Sequence, residues 1–352
     1  MSAAAVRGEQ CDARRAFAGD ACDGPGVWRR YNTPLDDYVD LSHGRTHIAS
    51  AAAVEAGKWR WEPRDCAAVA RTNRSAVCAI TRHLGIRRLM FVGDSISYQM
   101  AISMYYLLGL GKDKPPSQWR IAVEPGPTVW RRFVSNIKGS PAPGARKARV
   151  FDLKVDCGRF KIAFQYLRND HLNASSHATC EPEYCLPWLD AYARGNGPTL
   201  LLANTGAHAH SPKAFERDLD GFLRAVGPVA RARKDLLILR STPAGHRDCQ
   251  NYSKPLNAPP PRTSLHDWDG FARHNAYLDR AVRDLAYAAV LDVVPMTRLR
   301  PDGHLRPPVD CLHHTNPGVS DYWNHLLVTK LARLAQSCGH GAGPRHRADG
   351  VK

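Results

Sequence analysis

"MFVGDSISYQM", residues 90–100, is the stretch on which the reading of this chain turns. A short apolar run ends in Gly93-Asp94-Ser95, and a second apolar pattern starts at once. In that second pattern Ile96, Met100, Met104, Leu107 and Leu108 recur at helical spacing. Residues 87–92 therefore read as a buried strand, and 96–109 as a helix stopped by Gly109 and Gly111. The tight turn between them exposes a serine hydroxyl and aims main-chain N–H groups and a helix N-terminus at any oxyanion formed beside it. Asp and Ser are also favoured helix N-caps, so the tripeptide by itself serves a cap as well as a nucleophile.

Outward from this turn the pattern repeats. "FKIAFQYL" (160–167) is followed by "RND", "TLLLAN" (199–204) by "TGAH", and "DLLILR" (235–240) by "STPAGH". "YAAVLDVV" (287–294) reads as a fifth strand, and 213–226, 271–287 and 320–336 as helices. Strands alternating with helices predict an α/β fold, a sandwich around a mostly parallel central sheet. In such sheets ligands bind beyond the carboxyl ends of the strands, where every candidate strand here carries polar residues.

Residues 1–85 read as a Cys- and Trp-containing N-terminal segment packed on the core, 86–337 as the catalytic domain, and 338–352 as a disordered tail. The Pro-, Gly- and Lys/Arg-rich stretch 112–149 reads as an insertion loop. The aromatics of "KWRWEP" (58–63) could stack on a sugar, although paired Trp in a strand are more often core.

The chain has 352 residues, 43% of them hydrophobic, enough for a large core. No apolar run approaches the roughly 18 residues of a membrane span. The N-terminal stretch has no apolar segment of signal-peptide length. The expectation is a cytosolic protein, or one whose targeting segment lies outside this chain, and membrane association only through such a segment. Ten scattered cysteines without CxxC spacing exclude a zinc-ribbon site, and no metal is expected. Together with sequons at Asn73, Asn173 and Asn251, they favour an oxidising lumen. The net charge of +16 is spread along the chain without a nucleic-acid-binding signature, so nucleic acid is not an expected partner; an acidic glycan fits a luminal location better.

A serine nucleophile needs a base. "VDCLHHTNPG" (309–318) offers Asp310 and His313 three apart, a step at which the carboxylate holds Nδ1–H while Nε2 faces outward. His314 remains open as the base, although the spacing favours His313. Asn204, at the tip of "LLLANTGAH", is a candidate to donate its side-chain amide to an oxyanion alongside the Ser95 N–H, with Gly93 and Asp94 shaping that pocket. His208, Arg240 and His246 lie at strand ends and are candidate contacts for donor or acceptor.

The order "GDS", "NTG", "DxxH" resembles the SGNH/GDSL superfamily of acyl-ester enzymes. More closely, the chain is similar to the trichome-birefringence-like proteins with their PC-esterase domain, which are polysaccharide O-acetyltransferases. The resemblance runs through "GKWRWEPRDC" (57–66), "RRLMFVGDSIS" (87–97), "ANTGAH" (203–208), "LRSTPAGH" (239–246), "LDVVPMTRLRPDGH" (291–304) and "DCLHHTNPGVSDYWNHLL" (310–327). It implies a three-layer SGNH-like fold, with Ser95 as nucleophile, His313 as base, Asp310 as the acid that orients it and Asn204 as oxyanion donor. It also implies no bound cofactor, acetyl-CoA or another acetyl ester as acyl donor, a polysaccharide or oligosaccharide acceptor, and a Golgi or extracellular setting. Two departures stand out. His314-Thr315 replaces the usual Trp-Cys after the histidine, which implies that the disulfide there is absent or rewired, and "FQYLRND" replaces the usual second segment. A carbohydrate esterase and a glycan-binding protein without turnover are the competing readings.

Overall fold

The computed structural model describes residues 13, 17, 21–32, 51–66, 69–110, 120–123, 146–172, 185–186, 188–209, 211–260, 268 and 270–339. The expected disordered tail lies outside them, except for Cys338 and Gly339, which close the last helix.

An antiparallel hairpin comes first, strand β1 (Gly26–Arg30) against β2 (Trp59–Pro63), with Trp28 opposite Trp61. Both indoles are buried, their ring centroids 5.5 Å apart, and Trp28 Nε1 donates to the Met296 carbonyl. Trp59 is half-buried against the same cluster. The "KWRWEP" aromatics are therefore core rather than a sugar platform, because the hairpin buries the face that carries them.

Helix α1 (Arg74–His83) follows, capped by Asn73, whose side chain accepts from the Ala76 N–H. Then come β3 (Arg88–Gly93) and α2 (Ser95–Leu107), the strand and helix expected around the Gly-Asp-Ser turn. The stretch expected as an insertion loop carries a strand at each end of its described part: β4 (Arg120–Val123) and β5 (Arg146–Asp156). The chain continues through β6 (Lys161–Arg168), β7 (Thr199–Asn204), α3 (Pro212–Arg233), β8 (Leu236–Arg240), α4 (Gly270–Val282) and β9 (Ala288–Leu291). A small antiparallel hairpin, β10 (His304–Arg306) with β11 (Asp310–His314), precedes the closing helix α5 (Val319–Gly339).

The seven strands of the main sheet lie in the order β4-β5-β6-β3-β7-β8-β9. From β6 to β9 every pairing is parallel, and β4 and β5 add an antiparallel edge. Alternation along the central strands feeds two cores. Leu89, Phe91, Leu200, Leu202 and Ile238 enter one, with α2 and α5; Met90, Val92, Leu201, Leu237 and Leu239 enter the other, with α3 and α4. Coverage of both faces explains why these strands read as continuous apolar runs. The result is the three-layer α/β architecture expected.

After β3 the chain goes first to one side, to β6, and later to the other, to β7, so the carboxyl end of β3 is the switch point where such sheets open a crevice. Disulfides Cys22–Cys66, Cys78–Cys157 and Cys249–Cys311 tie the segments together, and no described cysteine is free. No described helix is long and apolar enough to cross a membrane.

Candidate active site

Ser95 is the first residue of α2, directly after β3. Asp94 caps the helix: its buried Oδ1 accepts from the N–H groups of Ile96 and Ser97, each at 3.0 Å. That cap uses two of the four N–H groups a helix start leaves unpaired. The Ser95 N–H, at the first helical position, has no intrahelical acceptor and points with the helix dipole. The Tyr166 hydroxyl sits within bonding distance of the main-chain carbonyls of Gly93 (3.1 Å) and Asp94 (2.9 Å), bracing the turn from β6.

Gly93 is required by close approach. A Cβ there would run into the main-chain carbonyl of Asn204 and the side chain of Ser97, and the carbonyl, paired in the sheet, cannot give way. Gly93→Ala is expected to destabilise the fold by about 1–3 kcal/mol, as overpacking does, and to displace Ser95. A lowered thermal midpoint together with slowed labelling of Ser95 by a fluorophosphonate checks this.

The β10–β11 hairpin brings the other two residues. His313 Nδ1 lies 2.9 Å and 3.1 Å from the two oxygens of Asp310, and His313 Nε2 lies 2.7 Å from Ser95 Oγ. A carboxylate only accepts, so the proton is on Nδ1, and the Ser95 hydroxyl donates to the lone pair on Nε2. Asp310 Oδ1 also accepts from the main-chain N–H of Leu312 and His313, which makes the three-residue step a closed turn. Burial alone would raise the Asp310 pKa; the bonds from the His313 ring and backbone outweigh it and hold the carboxyl well below the usual range. Gln99, one turn beyond Ser95, locks the hairpin to α2: its amide donates to the His314 carbonyl and accepts from the His314 N–H.

Other expected site residues fall elsewhere. His314 points away from Ser95 and is 1% exposed, stacked on His304 at 4.5 Å, so it is not placed as the base. Asn204 is level with Gly93 in the sheet, yet both its amide protons are engaged, with the Arg240 carbonyl (2.5 Å) and Thr242 Oγ1 (2.9 Å), while its Oδ1 accepts from Arg240. In this arrangement it has no proton left for an oxyanion; it braces the turn from β7. Gly93 and Asp94 likewise shape the turn without facing the crevice. Arg240 is fully buried beneath it, its Nη2 4.0 Å from Asp94 and 3.3 Å from Ser97 Oγ, with the guanidinium 5.1 Å above the Trp323 ring. Burial pulls its pKa down to about 10, so it remains a cation at neutral pH and holds Asp94 in place. His246 is also buried. Neither residue contacts a ligand from there. His208, with its side chain 37% exposed and 3.6 Å from Asp170, is the expected contact residue that faces solvent.

Sequence reasoning missed Gln99, Tyr166 and the buried Arg168–Asp170 pair, 2.5 Å apart beside the crevice. The "RND" following a strand was a signal for the last of these. Nothing local marks Gln99 or Tyr166, which act through partners distant in sequence. Among the described residues no cluster of His, Cys, Asp and Glu is arranged to hold a metal.

No family model matches the chain. Curated proteins do. Trichome birefringence-like protein 7 of Arabidopsis thaliana is 24% identical over 312 residues, covering 83% of this chain and 66% of its own length. Xylan O-acetyltransferase 2 of Oryza sativa subsp. japonica is 26% identical, covering 81% and 63% respectively. Xyloglucan O-acetyltransferase 2 of Arabidopsis thaliana is 22% identical, covering 78% and 73%. The chain thus spans about two thirds of the length of the first two.

Proposed function

We propose that this chain, which belongs to the trichome birefringence-like (PC-esterase) family, is an O-acetyltransferase acting on sugar hydroxyls of a polysaccharide. The observation that carries the chemistry is the unbroken line Asp310–His313–Ser95, with contacts of 2.9 and 2.7 Å. In the first step His313 Nε2 takes the Ser95 proton as Oγ bonds to the carbonyl carbon of an acetyl ester or thioester, acetyl-CoA or another donor. The oxyanion forms against the Ser95 N–H and the N-terminus of α2. Its collapse breaks the bond to the leaving group, which takes the proton from His313. In the second step His313 removes a proton from a sugar hydroxyl as its oxygen attacks the acyl-serine, and collapse breaks the bond to Ser95 Oγ, which takes that proton back from His313. Asp310, ionised throughout, stabilises the imidazolium of both steps.

The relatives' names support a polysaccharide acceptor of the xylan or xyloglucan kind. The disulfides support folding in an oxidising compartment, and a secretory-pathway lumen is the proposed location. Purified protein would be given an acetyl donor with and without xylan or xyloglucan oligosaccharides. Acetylated oligosaccharide, detected by mass, is the expected product. Acetate release indifferent to acceptor, with no acetylated sugar, would make the protein an esterase of the same fold.

A further inference from the structure

Behind the hairpin that carries Asp310 and His313 lies a chain of buried imidazoles that the acyl-transfer chemistry does not use. His246 Nε2 faces the Arg298 carbonyl at 3.0 Å, and His246 Nδ1 faces His304 Nε2 at 2.7 Å. His304 Nδ1 faces the main-chain carbonyl of His313 at 3.1 Å. Both rings are at most 4% exposed. The line therefore begins on one carbonyl and ends on another, the second belonging to the residue whose ring bonds Ser95.

Its proton count is decisive. A carbonyl only accepts, so His246 Nε2 and His304 Nδ1 must each carry a proton, and the nitrogens between them need a third. Two neutral imidazoles bring one proton apiece. A neutral pair leaves one of the three contacts as two lone pairs facing each other in a buried site. A pair with one extra proton satisfies all three, and the 2.7 Å central contact has the shortness of a charge-assisted bond.

We propose that His304 is a positioning residue for His313, and that it holds the His313 carbonyl as half of a His246–His304 pair sharing one extra proton. The role rests on the acyl-transfer reading above. Charged and titratable groups face the pair from every side. Asp302 favours charge on His246, and Asp310 favours it on His304. Burial, the strongest influence, opposes it, as do Arg300 beside His246 and the ring of His313 beside His304. Together they pull both imidazoles down, His246 to about 4 and His304 to about 3, so the extra proton has to be held by the three hydrogen bonds of the line. His314 stacks on His304 at 4.5 Å with neither ring nitrogen bonded. The main chain adds to the hold: the His246 N–H donates to the Cys311 carbonyl, and Cys311 is disulfide-bonded to Cys249. These bonds tie the back of the hairpin to the loop containing His246. Loss of the extra proton removes the donor that holds the His313 backbone, or breaks a bond that holds that donor.

Two isosteric variants in the full chain separate positioning from packing. The Asn amide nitrogen mimics Nδ1 and cannot titrate; the Gln amide nitrogen mimics Nε2. His304→Gln keeps a partner for His246 but loses the donor to the His313 carbonyl, and is expected to lower kcat on the order of 10–100-fold with KM unchanged. His304→Asn keeps that donor and is expected to restore most of kcat. It should also abolish the fall in kcat with rising pH that the wild-type pair produces as it loses its proton. Nitrogen-15 NMR of histidine-labelled wild-type protein is expected to show three ring N–H protons on the pair, one of them shared between His246 Nδ1 and His304 Nε2. Equal loss in both variants, or loss that only follows the thermal midpoint, would overturn the positioning role. Two ring protons throughout the active pH range would overturn the shared proton. The NMR count is independent of turnover, so an inactive wild-type protein would sink the acyl-transfer reading without touching it.

Discussion

Replacing Ser95 with alanine is expected to remove acetyl transfer almost completely, by on the order of 10⁴–10⁶-fold in kcat, while the protein melts where the wild type does. The size follows from the chemistry: without Oγ there is no acyl-enzyme, and the remaining oxyanion donor and bound geometry supply only a residual rate. The unchanged melting follows from the structure. Helix α2 is capped by the Asp94 carboxylate, not by the Ser95 hydroxyl, which among the described residues bonds His313 Nε2 at 2.7 Å. The turn does two jobs with two residues, and Ser95→Ala separates them. Steady-state kinetics beside a thermal melt read both halves. A variant that keeps more than about a tenth of kcat would remove Ser95 from the mechanism, because a nucleophile's loss costs orders of magnitude more.

Asp310→Asn is expected to lower kcat by about 10³–10⁴-fold, nearly as much, with far less structural cause on view. The carboxylate dictates that His313 carries its proton on Nδ1. An asparagine amide turned to donate there would force the proton to Nε2, and the ring would face Ser95 with a donor instead of a lone pair. The same residue carries a pH signature in stability. Its folded-state pKa is depressed, so its contribution is whole above the ordinary carboxylate range, about pH 4, and is lost as pH falls toward the folded-state value. The difference in melting temperature between wild type and Asp310→Asn should therefore shrink on acidification. A gap that widened instead would mean that Asp310 is not held ionised by His313.

The sheet was legible because its central strands are covered on both faces. Residues 89–92, 200–203 and 236–239 are unbroken apolar runs, and each lies inside a strand of the structure. Strand β5 escaped because it is an antiparallel edge: "RKARVFDLKVD" mixes charge with apolar residues and follows a Pro- and Gly-rich stretch that reads as loop. Ser95, Asp310 and His313 were legible from type and spacing, since a turn after a strand and a three-residue Asp-to-His step fix their own local geometry. Asn204, from its amide chemistry and the family resemblance, and Arg240 and His246, from strand-end position, were candidates for the crevice, and none of these signals says which way a side chain turns. The first two turn inward because the buried Asp94 carboxylate at the helix cap needs a cation nearby, and that cation in turn needs acceptors. Sequence gives the polar residues at a sheet edge; only packing divides them between the crevice and its support.

The central claim is that Ser95 carries the acyl group. Wild-type protein incubated with an acetyl ester, quenched in acid, digested and analysed by mass should show one acetyl group on the peptide containing Ser95. Adding acceptor oligosaccharide should discharge it as acetylated sugar appears, and His313→Ala should prevent its formation. Acetylated sugar formed at the wild-type rate by Ser95→Ala, or an acetyl group trapped only on another residue, would contradict the account.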